Sequence, residues 1–377
     1  MKIGIIGPSY PFKGGIAHYM TLLFKELADH HDVQFFSFKR QYPRWLYPGK
    51  TDKDESKSAI RDERIEQVLD SMNPLTWFAV FGRIKKHGPD LVIIPWWVAF
   101  WAPHFWFISK LIKNNKKTKI LFICHNVVEH ESNFFTKFLT RIVLKQGDYF
   151  IVHSQDDMDN LKNIIPSANV IKSHHPTYEV FKTQEIEKSN AQKTLGLEGN
   201  VILFFGFVRA YKGLIYLIES LPIVLKEIKV TLLIVGEFWK DKKTYIDKIE
   251  ELGVAGNIKI IDKYIANDQI SGYFSASDVV VLPYTSATGS GIVQTAFGCK
   301  RPVITTKVGS LSDVVRNGET GFLVSPEDAE ALAAAVVRFY KEGKEQEFTA
   351  NINKYKDEFS WTCMRGKIES FSKHKEV

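Results

Sequence analysis

The chain has 377 residues, which is too long for one ordinary hydrophobic core and indicates two domains. Hydrophobic residues make up 45% and charged residues 25%, the composition of a soluble globular protein. The formal net charge of +7 indicates anionic partners, and by itself it leaves nucleotides, phosphates, acidic lipids and nucleic acid open.

The three cysteines, Cys124, Cys299 and Cys363, are far apart, and neither a C-x-x-C pair nor a Cys/His metal spacing occurs. This usage predicts reduced thiols in a cytoplasmic protein. The short apolar run after Lys2 lacks the length and cleavage site of a signal peptide, and it predicts a buried first strand.

Apolar runs alternate with helical patterns through the first half of the chain. A helix is predicted from about Ile16 to Ala28, and the polar stretch from Tyr42 to Arg64 predicts an exposed loop that runs into a helix. Continuous apolar runs are typical of parallel strands that are covered on both faces. The runs of this half are "KIGIIG", "VQFFSF", "DLVIIP", "KILFICHN" and "YFIVHS".

The segment from Leu91 to Ile108 has the length of a short transmembrane helix. Pro95 and Pro103 interrupt it and His104 is ionisable, so a buried strand followed by an aromatic loop is the favoured prediction. Tryptophans and nearby lysines suggest that this loop rests on a bilayer surface or lines an acceptor groove. The tryptophans are Trp96, Trp97, Trp101 and Trp106.

A charged linker is predicted from Glu185 to Gly199, and a second series of apolar strands begins after it. The strands are "NVILFFGFV", "KVTLLIVGEF", "NIKIIDKY", "DVVVLPY" and "RPVITT". Two such series predict two doubly wound α/β domains that face each other. Because ligands bind at the carboxyl ends of parallel strands, the site is expected in the cleft between the domains.

Two loops combine glycine with features that favour an anion. Gly14 and Gly15 open a helix after the first strand, although a plain tight turn explains them equally well. The glycine spacing does not match the dinucleotide fingerprint, which counts against a dehydrogenase. In the second loop Gly206 ends a strand, and Arg209 and Lys212 can clamp a diphosphate as a fork and a point charge. The alternative is that Arg209 and Lys212 are only solvent-exposed charges on a loop.

Two further loops follow apolar strands. Gly289, Ser290 and Gly291 precede a short helix and again form an anion-binding helix start. His125 directly follows a buried strand and can line a reactive cleft, with a satisfied structural histidine as the alternative.

One acidic pair imitates a metal site. Asp157 and Asp159 have the spacing of a divalent-metal D-x-D motif, but they begin a helix, where capping and the helix dipole favour carboxylates. The lysine clusters "KKHG" and "KNNKKTK" have no nucleic-acid-binding motif beside them, so solvated faces are predicted and a nucleic-acid partner is not.

Taken together, the loops resemble those of the retaining glycosyltransferases of family 4, which have the GT-B fold. The resemblance runs nearly the whole chain and is strongest from Val201 to Val324. It rests on "GGIAHYM", "CHN", "FFGFVRAYKGL", "VTLLIVGEF", "DVVVLPYTSATGSGIVQTAFGCKRPVITTKVGSLSDVVRNGETGFLV" and "FSWTCM". It implies an acceptor-side domain over 1–185 and a nucleotide-sugar donor domain over 186–355. It also implies a C-terminal helix over 356–377 that packs back on the first domain.

The resemblance also implies a site. It places the donor diphosphate between the first glycine loop, the two cations and the Gly289–Gly291 turn, His125 against the sugar, and Glu237 and Tyr264 near the donor and its base. The implied catalytic residues are His125, Arg209 and Lys212. The implied donor-binding residues are Gly14, Gly15, Gly206, Glu237, Tyr264, Gly289, Ser290, Gly291 and Thr295.

The chain departs from the family pattern at three positions. The family's pair of glutamates falls on Ala287 and Thr295, and Gln294 is the nearest polar substitute. The arginine that usually follows the loop glycine is Phe207, while Arg209 lies two positions later. These departures concern recognition of the donor more than the clamp on its phosphates.

The expected activity is transfer of a sugar from a nucleotide sugar to an acceptor hydroxyl, with retention at the anomeric carbon and without a metal or cofactor. A sugar-nucleotide-binding protein without turnover and a nucleotide-sugar epimerase are the alternatives. The expected acceptor is a glycan, a polysaccharide or a lipid-linked precursor, met in the cytoplasm with peripheral contact at the inner face of the membrane.

Overall fold

A computed structural model describes residues 1–43, 52–54, 60–128, 133–178, 186–239, 241–287 and 289–373. Its described residues divide into two compact units. The first unit contains those up to 174 together with 360–373, and the second contains those from 175 to 359. Most of the loop predicted between Tyr42 and Arg64 lies outside the described residues.

The sheet of the first unit contains seven strands among the described residues, and all neighbouring strands run parallel. The strands are β1 (Lys2–Gly7), β2 (Asp32–Arg40), β3 (Glu66–Asp70), β4 (Leu91–Trp96), β5 (Lys119–Cys124), β6 (Tyr149–Val152) and β7 (Val170–Lys172). Their order is β3-β2-β1-β4-β5-β6-β7. Since β1, β4 and β5 are buried on both faces, their sequences are continuously apolar.

Five helices in the described ranges connect these strands. They are α1 (Gly15–Ala28), α2 (Pro74–His87), α3 (Ala102–Lys113), α4 (Phe134–Leu144) and α5 (Gln155–Ile164). Local sequence sets several of their ends. Asn73 caps α2 by accepting a hydrogen bond from the Leu75 N–H, and Gly88 ends it in the left-handed conformation. Asn133 and Ser154 cap α4 and α5 in the same way.

The aromatic segment after β4 is helical, whereas the sequence predicted a loop. A short 3₁₀ turn, Ala99–Trp101, leads directly into α3, and Pro103 lies in its first turn, where a missing N–H costs nothing. Trp96 and Trp101 are 1% and 0% exposed, so the prediction that they form a surface is wrong. No helix in the described part of the chain has the length and apolar character needed to cross a membrane.

The second unit contains a six-stranded parallel sheet over the residues that the structure describes. The strands are β8 (Val201–Phe205), β9 (Thr231–Val235), β10 (Ile258–Ile261), β11 (Val279–Leu282), β12 (Val303–Thr306) and β13 (Gly321–Val324). Their order is β10-β9-β8-β11-β12-β13. The predicted pair of doubly wound, Rossmann-like domains is confirmed.

Helices cover the second sheet as well. They are α6 (Lys188–Leu195), α7 (Leu214–Glu227), α8 (Lys242–Glu251), α9 (Ile270–Ala276), α10 (Gly291–Gly298), α11 (Leu311–Val314), α12 (Ala329–Lys341) and α13 (Lys344–Tyr355). The segment predicted as a linker contains α6. It packs against α9, and the Gln192 side chain donates a hydrogen bond to the Ala276 carbonyl at 3.0 Å.

The last helix, α14 (Trp361–Lys373), belongs to the first unit. Met364 and Ile368 are buried in its core, and Arg365 forms an ion pair with Glu26 of α1 at 3.0 Å. The apolar side of α14 therefore completes one face of the first sheet together with α1. Helices α2, α3 and α4 cover the other face, where a second apolar cluster forms.

The chain passes between the units at 174/175 and at 359/360, whereas the sequence places these boundaries at 185/186 and 355/356. The reason lies in the backbone just after β7. The Thr177 N–H donates to the Phe359 carbonyl at 2.8 Å, and the Tyr178 N–H donates to the Gln294 carbonyl at 3.4 Å. This segment is thus already hydrogen-bonded within the second unit.

The strand orders also locate the ligand-binding edge of each sheet. The order reverses between β1 and β4 in the first unit and between β8 and β11 in the second. In open α/β sheets, the crevice at such a reversal, outside the carboxyl ends of the strands, is where ligands bind. The loops after β8 and β11 therefore flank the expected position in the second unit.

Two left-handed glycines test how tightly the second unit is packed. Gly213 and Gly253 have nearly the same φ, 64° and 65°. A Cβ on Gly213 would lie 1.9 Å from the Pro283 carbonyl oxygen, whereas a Cβ on Gly253 would have none of the described atoms within 4 Å. Gly253→Ala should cost about 1 kcal/mol of unfolding free energy through backbone strain. Gly213→Ala should cost roughly 2–4 kcal/mol, since overpacking adds to the strain. Urea unfolding of the two variants measures this difference, and equal costs would contradict the close approach.

His104 makes the first unit sensitive to acid. Its side chain lies among aromatic rings and is 1% exposed. Burial lowers its pKa from 6.5 to about 3. The unfolded chain therefore binds a proton that the folded chain does not, so the unfolding free energy falls as the pH drops below 6.5. In His104→Leu, the fall between about pH 7 and about pH 5 should be smaller by about 2 kcal/mol.

Tryptophan fluorescence during urea unfolding reports on this region, because the Trp101 ring lies 5.6 Å from His104. If the pH dependence of the unfolding free energy were unchanged in the variant, His104 would bind protons equally in the folded and unfolded chain.

Candidate active site

The loop after β8 brings a glycine and a lysine into contact. Gly206 has a φ of 108°, and a Cβ at this position would lie 2.9 Å from the Lys212 Nζ. The Gly206 N–H donates to the Val235 carbonyl at 2.9 Å, which ties the loop to β9. The lack of a side chain at Gly206 therefore creates the space that the ammonium group occupies.

Lys212 is buried without a carboxylate partner. Its side chain is 8% exposed, and its Nζ lies 5.5 Å from the centre of the Tyr284 ring. Burial lowers the pKa of the ammonium group; Tyr211 opposes this effect and Arg209 adds to it. No carboxylate among the described residues pairs with Lys212. A desolvated, uncompensated ammonium costs on the order of several kcal/mol, so this position attracts an anion.

Arg209 is exposed and held by aromatic rings. Its guanidinium carbon lies 5.1 Å from the centre of the Tyr211 ring and 5.0 Å from that of Trp239. Such contacts use the faces of the guanidinium group and leave its in-plane N–H donors for a planar anion. The arrangement restricts the side chain before a ligand binds, which lowers the entropy cost of binding.

The start of α10 lies beside the same loop. Ser290 caps the helix, since its hydroxyl accepts a hydrogen bond from the Ile292 N–H at 3.2 Å, and it lies 3.3 Å from the Tyr284 hydroxyl. A Cβ on Gly206 would lie 3.4 Å from the Ile292 side chain. The structure thus brings Gly206, Lys212 and Ser290 together at a helix N-terminus, where partial positive charge favours an anion.

The glycines that flank Ser290 are closely surrounded. A Cβ on Gly289 would lie 3.1 Å from the Ser310 hydroxyl, and one on Gly291 would lie 3.5 Å from the Tyr178 ring. Gly289 therefore allows a close approach to Ser310, whereas a side chain at Gly291 would make only an ordinary contact with Tyr178.

Thr295 is 4% exposed, and its hydroxyl donates to the Gly291 carbonyl of its own helix at 2.9 Å. Ala287 and Gln294 are also buried, at 9% and 2%. Neither Ala287 nor Thr295 carries a charge, and the Thr295 hydroxyl already has a partner.

An aromatic group borders the loop where the family has an arginine. The Phe207 ring lies 5.0 Å from Trp239 and 5.9 Å from Tyr264. Half-buried Glu237 lies between β9 and Trp239, and its carbonyl accepts a hydrogen bond from the Val208 N–H at 2.9 Å. Glu237 and Tyr264 thus lie beside the loop that carries Arg209. Sequence reasoning missed Trp239 and Tyr284, although each closely follows the end of a strand.

The first unit contains its own glycine-led helix start. Gly14 precedes α1 with a φ of 115° and no side-chain cap, and Gly15 begins the helix. His18 follows in the first turn and is 7% exposed. Burial lowers its pKa to about 4, although Asp54, 3.9 Å away, opposes the shift. At neutral pH this histidine is therefore uncharged.

His125 lies at the carboxyl end of β5, where its N–H donates to the Trp96 carbonyl at 2.8 Å. Its ring is edge-on to Tyr19 at 4.7 Å and lies 5.2 Å from His153. Burial lowers the pKa of His153 to about 4, and its Nδ1 lies 2.9 Å from the Ser173 carbonyl oxygen. Sequence reasoning identified His125 but missed His18 and His153, whose positions depend on tertiary packing.

The two aspartates of the D-x-D pair have different surroundings in the structure. Asp157 is buried, and its carboxylate accepts hydrogen bonds from the Val127 N–H at 2.7 Å and the Ser154 hydroxyl at 2.8 Å, whereas Asp159 is exposed. The helix is capped by Ser154, whose hydroxyl accepts a hydrogen bond from the Asp157 N–H, and the Asp157 carboxylate instead ties the helix start to the segment after β5. No group of three or more His, Cys, Asp or Glu side chains in the described ranges is arranged to hold a metal ion.

Two family models match the chain in tandem. The Glycosyltransferase Family 4 model covers residues 13–171, which contain α1 and His125. The Glycosyl transferases group 1 model covers residues 199–342, which contain Lys212 and α10. Each match lies within one unit of the fold.

The chain is similar to two curated proteins that are named as glycosyltransferases of bacteria. The capsular polysaccharide biosynthesis glycosyltransferase CapM of Staphylococcus aureus is 27% identical over 237 residues, which cover 58% of this chain and 61% of CapM. A D-inositol 3-phosphate glycosyltransferase of Rhodococcus jostii is 25% identical over 61% of this chain and 53% of that protein. The aligned region thus spans little more than half the length of these relatives.

Solved structures match the whole fold. HepE of Anabaena, solved in complex with UDP, aligns with a TM-score of 0.74 and 18% identity over 99% of this chain and 100% of that one. HepE has also been solved with UDP-glucose. The chain therefore has the GT-B fold, and the Glycosyltransferase Family 4 and Glycosyl transferases group 1 models match its two units in turn.

Proposed function

We propose that the protein transfers a glycosyl group from a nucleotide sugar to an acceptor hydroxyl with retention of the anomeric configuration. The observation that carries this proposal is the buried ammonium of Lys212, placed against Gly206 and beside the start of α10. A diphosphate supplies the negative charge that this position lacks. Its binding replaces the lost hydration of the ammonium group by direct charge-assisted contacts.

The same groups stabilise the leaving diphosphate. Lys212 acts as a point charge, Arg209 offers in-plane donors, and the free N–H groups of α10 add partial charge. Each hydrogen bond to a charged group contributes about 1.5–3 kcal/mol, and such preorganised donors act most strongly on charge that develops in the transition state. Charge on the leaving group is thus compensated by this chain's own residues, which is why we propose a metal-independent reaction.

In the proposed step, the bond between the anomeric carbon and the diphosphate oxygen breaks while the acceptor oxygen bonds to that carbon on the same face. The departing phosphate oxygen takes the acceptor's proton, so no protein nucleophile is required. His125 is proposed to contact the sugar, and its edge-on packing against Tyr19 holds the ring in place.

Donor recognition is proposed to use the aromatic group in place of the missing glutamates. Phe207, Trp239 and Tyr264 present rings on which a nucleobase or sugar face can stack. HepE binds UDP and UDP-glucose, so uridine diphosphate sugars are the first donors to test. CapM is named for capsular polysaccharide biosynthesis, and we propose that the acceptor here is a glycan, a polysaccharide or a lipid-linked precursor.

The double variant Arg209→Ala, Lys212→Ala should lose transfer. Each removed contact should lower kcat/KM by about 100-fold or more, because both act on the charged leaving group. Turnover of a panel of nucleotide sugars with candidate acceptors, measured as released nucleoside diphosphate, checks this. Binding is followed separately by the fluorescence of Trp239, which touches Arg209.

Lys226→Met is the matched control, because Lys226 is an exposed lysine of α7 in the same unit. It should leave turnover unchanged. Near-normal turnover in the double variant would overturn the proposed clamp. Tight donor binding without turnover in the unmodified protein would favour a silent binding protein, and an isomerised donor would favour an epimerase.

A chelator should leave the rate unchanged. If Lys212 and Arg209 compensate the charge of the leaving group, turnover in EDTA should equal turnover with added Mg²⁺ or Mn²⁺ within about twofold, since the removal of a catalytic metal would cost several kcal/mol. Loss of activity in EDTA that is restored by one divalent ion would contradict the metal-independent step.

A further inference from the structure

Three neighbouring helices on one face of the first unit contain no acidic residue. Helices α2, α3 and α4 pack against the same apolar cluster, and α3 contacts both of the others. None of the three contains an aspartate or glutamate. On the opposite face, α1 contains Glu26 and α14 contains Glu369. The fourth helix that contributes to this cluster, α5, carries Asp156, Asp157 and Asp159, so the acid-free surface is limited to α2, α3 and α4.

The same three helices carry seven basic residues, three on α2, two on α3 and two on α4. They are Arg83, Lys85, Lys86, Lys110, Lys113, Lys137 and Arg141. Arg83 pairs with Glu66 and Lys113 pairs with Asp148 at the borders of this face. The others add positive charge to a surface whose helices offer no carboxylate to compensate it.

Large apolar side chains protrude from this surface. On α4, Phe134, Phe135 and Phe138 are 89%, 64% and 51% exposed, and on α2 Leu75 and Phe78 are 76% and 55% exposed. Single exposed apolar residues are common, but a group on neighbouring helices of one face indicates an interaction surface. We call α2, α3 and α4 with these side chains the basic aromatic face.

The apolar side chains gather at one end of this face. Each helix follows a strand of a parallel sheet, so α2 and α4 begin at the carboxyl edge of the sheet. Phe134, Phe135, Phe138, Leu75 and Phe78 all lie in the first two turns of their helices. Lys137 lies among them on α4, and the other basic residues follow in the later turns. His125 directly follows β5 at the same edge.

We propose that the basic aromatic face binds the surface of an anionic lipid bilayer, with the phenylalanines of α4 inserted between the headgroups. Aromatic side chains that enter the interface, with lysine and arginine behind them, form the pattern of helices that lie on membranes. The cations meet lipid phosphates, and each basic residue near an anionic surface adds to the attraction. This surface replaces the one that the sequence predicted from Trp96 and Trp101, which are buried.

The orientation that follows presents the carboxyl edge of the first sheet, with His125, to the lipid. A lipid-linked acceptor would then reach this edge without leaving the bilayer. This consequence rests on the proposed function, whereas lipid binding by the face does not.

Flotation with vesicles tests the proposal without any donor or acceptor. The protein should bind vesicles of phosphatidylcholine mixed with phosphatidylglycerol and should bind phosphatidylcholine alone at least about tenfold less well. Added salt should weaken binding, because exposed charges are screened. The triple variant Phe134→Ser, Phe135→Ser, Phe138→Ser and the double variant Lys137→Glu, Arg141→Glu should each reduce binding about tenfold or more.

Matched controls come from the second unit. Ile223→Ser replaces an apolar residue that is 37% exposed, and Lys226→Glu replaces an exposed lysine; both should bind vesicles like the unmodified protein. Donor binding, read from Trp239 fluorescence, should be normal in every variant, which separates this test from that of the transferase step. Equal vesicle binding by the triple variant would overturn the proposal. The proposal would also be overturned if the unmodified protein bound no vesicles but self-associated, and if the triple variant abolished this self-association.

Discussion

The buried ammonium group of Lys212 is the constraint on which the second unit is organised. Its Nζ lies 2.9 Å from where a Gly206 Cβ would be, and the next strand loop approaches more closely still, since a Cβ on Gly236 would lie 2.0 Å from the Gly206 carbonyl oxygen. The carboxyl ends of β8 and β9 are thus held by backbone contacts that only glycine permits. The fold supplies the seat for a cation, and an anionic ligand supplies the compensation that no described carboxylate gives.

Under the proposed function, the groups around this cation allow the site to act without the two glutamates that the resemblance implies. Carboxylates there would partly neutralise the clamp as well as contact the donor. Ala287 and Thr295 leave the cations, the helix start and the rings of Phe207 and Trp239 as the proposed contact groups. Stacking and backbone N–H donors recognise shape and phosphate charge, so we expect discrimination among donors to shift from hydroxyl contacts to ring contacts.

The sequence predicted the parts that depend on local pattern. Continuous apolar runs gave the strands, and glycine with lysine at a strand end gave the loop of Gly206 and Lys212. The rest depends on contacts between segments that are distant in the chain. His18, His153 and Trp239 are single residues with no local signature, and packing alone brings them to the strand ends. The helix after β4 was missed because Pro103 interrupts a helix in its interior but suits its first turn.

The net charge of +7 indicated an anionic partner without choosing one. In the structure, the basic side chains that could meet such a partner are of two kinds, buried and exposed. Lys212 is buried, so its interaction with a ligand is strong, specific in position and little screened by salt. The cations of the basic aromatic face are exposed on three helices, where each contributes little and salt screens all of them. A buried charge suits a small diphosphate that must be held in one geometry. A spread, screenable charge suits a fluid surface that offers many equivalent phosphates, which is why the two kinds of charge support two different proposals, a diphosphate substrate for Lys212 and a lipid surface for the basic aromatic face.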